Sequence, residues 1–191
     1  AEQAISSANV CVIHDGFSQE AIVAAVRCAQ VHKTPIIVEV SLPIPDRGLV
    51  HAIDWPVEFY NADILVLSFS GLVSRAELGA GGDQDIKFIA TELVAKGAKC
   101  VLVSLGTHGA LLVDRQSTHW LGGIQTELVD YTGCEDAFCG ALAACYATGD
   151  SPLSAARFAV AAEALTRSRF GLQDALPVKE EIITLLQEQP D

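Results

Sequence analysis

Short apolar runs alternate with amphipathic stretches along the chain. Residues 9–14 (NVCVIH), 34–40 (TPIIVEV), 62–67 (ADILVL) and 99–104 (KCVLVS) are rich in β-branched and other apolar side chains, as buried strands require. Between the first two, residues 20–31 place Ile22, Val23 and Val26 on one face of a helix capped by Ser18. A proline-containing loop over 41–48 and a short helix before Tyr60 precede the third strand. Gly81 and Gly82 break the chain, Asp83 is expected to cap a helix running to about Lys96, and Gly97 ends it. Residues 110–113 and 119–121 pair as a hairpin, and 126–130 form a strand-like run. That run hands over to an alanine-rich helix over 134–148, ended by Gly149. Ser151 and Pro152 then supply an N-cap and a first-turn proline for a helix to about Arg167, and 178–187 form the last helix. Strands separated by helices in this way predict right-handed βαβ units and a mainly parallel sheet covered on both faces. The expected class is α/β with three layers, α/β/α. No repeat, low-complexity tract or linker interrupts it, so residues 1–191 are expected to form a single domain.

Composition narrows the partners. Half of the 191 residues are hydrophobic, enough for one full core, and the formal net charge is −12. An acidic surface of that kind is not expected to bind nucleic acid or an anionic membrane, and no apolar run is long enough for a transmembrane span. The six cysteines include no Cys-x-x-Cys pair, which is expected of reduced thiols in a cytoplasmic protein. The first residues lack the basic and apolar regions of a signal peptide, and the absence of any Met, initiator included, is expected of a trimmed chain. His14, His32, His51, His108 and His119 show no ligand spacing, so no structural metal is expected. Trp55 and Trp120 are expected to be packing residues.

The candidate chemistry sits where the strand-like run meets the alanine-rich helix, in Val129-Asp130-Tyr131-Thr132-Gly133-Cys134-Glu135-Asp136-Ala137-Phe138. A glycine turn followed by a helix start aims backbone N–H groups at a phosphate. Asp136, at the head of that helix, is placed to take a proton from a hydroxyl. Cys134 at a helix N-terminus has two readings: a small core residue, or a thiol of lowered pKa.

This stretch resembles the signature of the ribokinase-like (PfkB) carbohydrate kinases, Asp-Thr-Thr-Gly-Ala-Gly-Asp-Ala-Phe. Residues 101–110 resemble the family's strand and Gly-x-x-Gly turn near the nucleotide. Residues 156–165 and 171–177 resemble its adenine-side helix and closing segment. The likeness covers about residues 8–187 and matches the C-terminal two-thirds of a typical member. The N-terminal third, with the small lid sheet and most sugar contacts, is expected to be absent from this chain.

The resemblance implies ATP-dependent phosphorylation of a sugar or sugar-like hydroxyl. It gives Asp136 the role of catalytic base and the backbone of Gly133, Cys134, Glu135 and Asp136 that of an anion hole. Ser104, Gly106, Thr107 and Gly109 match nucleotide contacts, and Asp130 and Thr132 match positions that hold a monovalent cation. ATP and Mg2+ are the implied cofactors, with a nucleotide and a small sugar-like molecule as ligands.

Three positions depart from the pattern. Glu135 replaces the second glycine of the signature, adding a side chain that is strained if φ is positive and a like charge beside the phosphates. At about 4 Å and an effective dielectric near 20, that repulsion is about 4 kcal/mol, unless Glu135 points outward into solvent. Ser68 and Gly71 stand where the family has the Asn and Glu that organise Mg2+, following its strand at 62–65. The stretch 38–41 (VEVS) stands where many members have an Asp-Pro-Asn-like run. A catalytically inactive kinase-like protein, serving binding, assembly or regulation, is therefore the alternative reading. An exposed sheet edge would favour a homo-oligomer or a protein partner. A Rossmann-type cofactor binder is disfavoured, because no Gly-x-Gly-x-x-Gly follows the first strand.

Overall fold

A computed structural model describes residues 1–42, 55–69 and 82–189. Of the loop expected over 41–48, residues 41 and 42 instead continue a strand; residues 43–48, the break at Gly81 and the family glutamate position at Gly71 lie outside the described residues. The chain forms two compact units, residues 1–104 with 111–119, and residues 105–110 with 120–191.

The first unit is built on parallel strands. β1 (Cys11–His14), β2 (Ile36–Leu42), β3 (Ile64–Phe69) and β4 (Cys100–Ser104) lie side by side. Their register sets Cys11 opposite Ile36, Ile37 opposite Ile64 and Leu65 opposite Val101, all in parallel. Ile36, Ile37, Val38, Ile64, Leu65, Val66, Val101 and Leu102 are all buried, on successive positions rather than alternate ones. A sheet buried on both faces requires that, and it explains the continuous apolar runs in the sequence. β5 (Gly109–Asp114) and β6 (Thr118–Gly122) complete the order β1-β2-β3-β4-β5-β6. Residues 105–108 and 115–117 are too short for a crossover, so these last two strands turn back as hairpins.

Local chemistry fixes the connecting helices. α1 (Glu2–Ser6) was not expected from the sequence; it has no buried side chain, and so no apolar stripe announces it. α2 (Gln19–His32) starts as expected at Ser18, whose Oγ accepts from the Ala21 N–H at 3.3 Å. A 3-10 turn, Val57–Asn61, is the short helix expected before Tyr60, and Trp55 stacks on Phe59 with ring centroids 5.8 Å apart. α3 (Gly82–Ala95) differs in its start: Asp83 lies inside the first turn, where its charge complements the helix dipole, instead of capping it. Gly97 ends that helix at φ +130, with Gly97 N–H donating to Val94 O and Ala98 N–H to Leu93 O, both at 3.1 Å. Asp63 joins three strands at their start, accepting from Ile36 N–H and from Lys99 Nζ, each at 2.8 Å.

The second unit is helical. α4 (Cys134–Ala147) packs on α5 (Pro152–Arg167), and both bury small residues, Ala137 and Ala143 in the first and Ala155, Ala156 and Ala159 in the second. Ser151 caps α5, accepting from Ser154 N–H at 3.2 Å, with Pro152 in the first turn as expected. α6 (Lys179–Glu188) begins where Val178 N–H donates to Glu181 at 2.9 Å, and Arg169 pairs with the same carboxylate at 2.7 Å. The strand-like run over 126–130 is not a strand. Its N–H groups at Val129 and Asp130 donate to Arg167 O at 2.9 and 3.1 Å, and Thr126 Oγ1 donates to Ala164 O at 3.0 Å. The end of α5 takes the bonds that a neighbouring strand would have taken. Among the described residues no helix is long and apolar enough to cross a membrane.

Candidate functional site

The site is built from the loop before α4. Gly133 is the N-cap residue, in the left-handed region at φ +76, and supplies no side-chain cap. That conformation is cheap only for glycine, and the N–H groups in the first turn of a helix have no intrahelical acceptor. Cys134 N–H folds back to Tyr131 O at 3.2 Å, and the first helical bond runs from Ala137 N–H to Gly133 O at 2.8 Å.

Glu135 and Asp136 follow in the first turn, and both are exposed. The strain expected at Glu135 is absent. Lys33 is the only non-glycine residue with positive φ among the described residues, so Glu135 holds ordinary helical backbone and its side chain costs nothing sterically.

Asp130 braces the loop from its N-terminal side. Its Oδ1 accepts from Thr132 N–H at 2.9 Å and Thr132 Oγ1 at 2.7 Å, and its Oδ2 accepts from Gly171 N–H at 3.3 Å. The Thr132 and Gly171 donors hold the Asp130 carboxyl below the usual carboxylate range. Cys134 behaves oppositely to the lowered-pKa reading. Burial pushes its thiol up to about 11, and the carboxylates of Glu163, Asp130 and Glu135 add to the shift against the opposing charge of Arg167. The thiol is 4% exposed and is a core residue.

The glycine turn makes the second wall. Ser104 ends β4 in the first unit and is not among the residues that the second unit gathers. Gly106, Thr107 and His108 form a 3-10 turn, and Gly109 follows at φ +93. A side chain at Gly109 would overlap the backbone at Leu121 and Gly122, and one at Gly123 would overlap the Thr107 carbonyl. Two backbone segments therefore touch directly, which requires glycine on both.

Two charged residues that the sequence reading passed over lie beneath these walls. Glu163, on α5 and 4% exposed, has its Oε1 3.7 Å from where a Gly106 side chain would begin. Arg167, one turn on and 2% exposed, donates from Nε to Thr126 Oγ1 at 3.1 Å and from Nη2 to Ile124 O. The signal for both was present, as two charges four residues apart in an otherwise alanine-rich helix.

Beside Asp136 a cavity of about 770 Å3 runs along α4, lined further by Gly140, Ala144, Phe158, Arg157 and Lys179. Its size suits a small ligand, and its charged lining is balanced, Arg157 and Lys179 against Asp136 and Asp150. Among the described residues no group of three or more His, Cys, Asp or Glu is arranged to hold a metal ion. Ser68, at the family's Asn position, is buried with its hydroxyl 3.2 Å from that of Ser41, and offers no carboxylate.

Residues 1–179 match the sequence pattern of the pfkB family carbohydrate kinases. This chain belongs to that family. Among individual relatives, a ribokinase of Lactococcus lactis is 31% identical over 97 residues, which is 51% of this chain and 32% of that protein. Among solved structures, Arabidopsis thaliana ribokinase complexed with ribose and ATP matches with a TM-score of 0.79 and 22% identity, over 97% of this chain and 58% of that one. Phosphofructokinase-2 from Escherichia coli, in complex with potassium, matches with a TM-score of 0.73 and 22% identity, over 98% of this chain and 60% of that one. These likenesses show a ribokinase-like α/β fold for this PfkB chain. The chain spans about a third of the curated relative and about three-fifths of the solved structures.

Proposed function

We propose that this PfkB protein takes part in ATP-dependent phosphorylation of a sugar or sugar-like hydroxyl, with Asp136 as the base. One observation carries the reading: left-handed Gly133 opens onto an uncapped helix turn whose third residue is an exposed carboxylate beside open space. In this reading the N–H groups of Gly133, Glu135 and Asp136 bind the transferring phosphate, reinforced by the helix dipole; Cys134, expected among these donors, instead turns its N–H to Tyr131 O at 3.2 Å. Gly106, Thr107 and Gly109, with Ser104 at the end of β4, contact the nucleotide. Asp136 accepts the proton of the acceptor hydroxyl as its oxygen bonds to the γ-phosphorus and the bond to the ADP oxygen breaks. Positioning and charge carry most of such a reaction.

A monovalent cation beside the loop would be held by Asp130 and Thr132. Asp130 accepts three hydrogen bonds, and a carboxylate has about four lone-pair sites, so one acceptor site is left for an ion. Such an ion would supply positive charge near the phosphates.

The alternative, a kinase-like protein that binds without turnover, is favoured by one feature: Glu135 sets a second carboxylate beside Asp136 in the phosphate-facing turn. Turnover separates the two. Asp136→Asn, at an exposed position, is expected to leave the melting temperature and ATP affinity near the parent values. It should lower phosphoryl transfer to a sugar panel by about 10²-fold or more. Unchanged transfer in Asp136→Asn would refute the role of Asp136, and ATP binding without any transfer in the parent would favour the alternative.

A further inference from the structure

Glu163 and Arg167 are two buried charges on an alanine-rich helix, and the proposed chemistry uses neither. A buried guanidinium is costly unless it is paired and hydrogen-bonded. Arg167 spends its donors on backbone and side-chain oxygens at Ile124 and Thr126, while Nη1 has no hydrogen-bond partner among the described residues. Glu163, one turn earlier on the same helix, lies beneath Gly106.

The connections run further. Ile124 follows Gly123, whose backbone lies directly against the Thr107 carbonyl. The Arg167 carbonyl meanwhile takes both N–H groups at Val129 and Asp130, the residue that braces Gly133 through Thr132. One residue thus grips the incoming segment at both ends, and its acidic neighbour sits under the glycine turn.

We infer that Arg167, balanced by Glu163, is the positioning residue of this site: it holds segment 124–130, and through it the 106–109 turn and the Gly133–Asp136 loop, in one fixed arrangement. The guanidinium is suited to this because its planar fork binds two acceptors at a set angle, which an ammonium does not. The inference rests on the phosphate-site reading for its consequence on nucleotide binding, but its geometry stands apart from it.

The test separates positioning from mere stability. Removing one of two opposite buried charges leaves the other uncompensated, whereas removing both does not. Arg167→Met alone is expected to melt well below the parent, and the double variant Glu163→Ala, Arg167→Met near it. Amide exchange at Val129, Asp130 and Cys134 in the double variant should nonetheless be at least about tenfold faster, and ATP affinity about tenfold weaker. Arg167→Lys, which keeps the charge, is expected to fold and to show the same faster exchange, which covers failure of the double variant to fold. Parental exchange and affinity, within twofold, in either folded variant would overturn the inference. A parent chain that binds no ATP would instead refute the phosphate-site reading, and amide exchange alone would then decide the role of Arg167.

Discussion

Glu135→Gln isolates the charge that distinguishes this chain from the family signature. Glu135 occupies the second position of α4, with ordinary backbone and an exposed side chain, so the substitution alters charge without releasing strain. For a carboxylate about 4 Å from a bound phosphate, the repulsion is roughly 4 kcal/mol at an effective dielectric of 20 and roughly 1 kcal/mol in water. Exposure places Glu135 towards the aqueous limit, so Glu135→Gln should tighten ATP binding by about fivefold, since each 1.4 kcal/mol is tenfold. Because the Debye length is about 8 Å at physiological ionic strength, the gain should shrink as salt is raised. The same substitution removes a favourable charge from a helix N-terminus, which is worth roughly 0.3–1 kcal/mol, so the variant should melt slightly lower while binding more tightly. Calorimetric titration of ATP into both proteins at low and physiological salt, with thermal melts alongside, measures all three effects. Tightening of about 10²-fold that persists in salt would refute the reasoning, because only a carboxylate folded onto the N–H donors could repel that strongly. No tightening at low salt would equally refute it, by placing the phosphate elsewhere.

Two further outcomes follow from the same loop. Gly133→Ala places a Cβ 2.6 Å from Leu172 Cδ1 in a left-handed conformation, which costs roughly 1–2 kcal/mol; denaturant unfolding should show that loss, whereas Gly133→Asn should lose less because asparagine tolerates this region. With its pKa pushed up to about 11, the Cys134 thiol is almost wholly protonated near pH 7; its alkylation should rise about tenfold per pH unit towards 11, and a rate profile levelling below pH 8 would refute the burial argument.

What could be read from the sequence divides along a physical line. The parallel strands were legible because burial on both faces leaves a continuous apolar run, and Ser18, Ser151 and Gly97 were legible because a cap acts within three or four residues of itself. The Gly133 turn and the start of α4 were legible for the same reason: a glycine and a helix start are local facts. Segment 126–130 misled because an extended, β-branched run announces only its own backbone, and its partner, the Arg167 carbonyl, lies on another helix. Cys134 shows the competition most clearly. Helix position lowers a thiol pKa and burial raises it; only the fold reveals that the sulfur is buried and that the charge of Glu163, on α5, raises its pKa further. Arg167 was passed over because a charge on a helix ordinarily marks the solvent face, and nothing nearby in sequence says that this one faces inward. A signature therefore identifies the groups that touch a ligand, while the residues that hold those groups still come from tertiary packing. Two chains with the same signature can for that reason differ in what holds their loops, and in this chain Arg167 on α5 takes the bonds of segment 124–130.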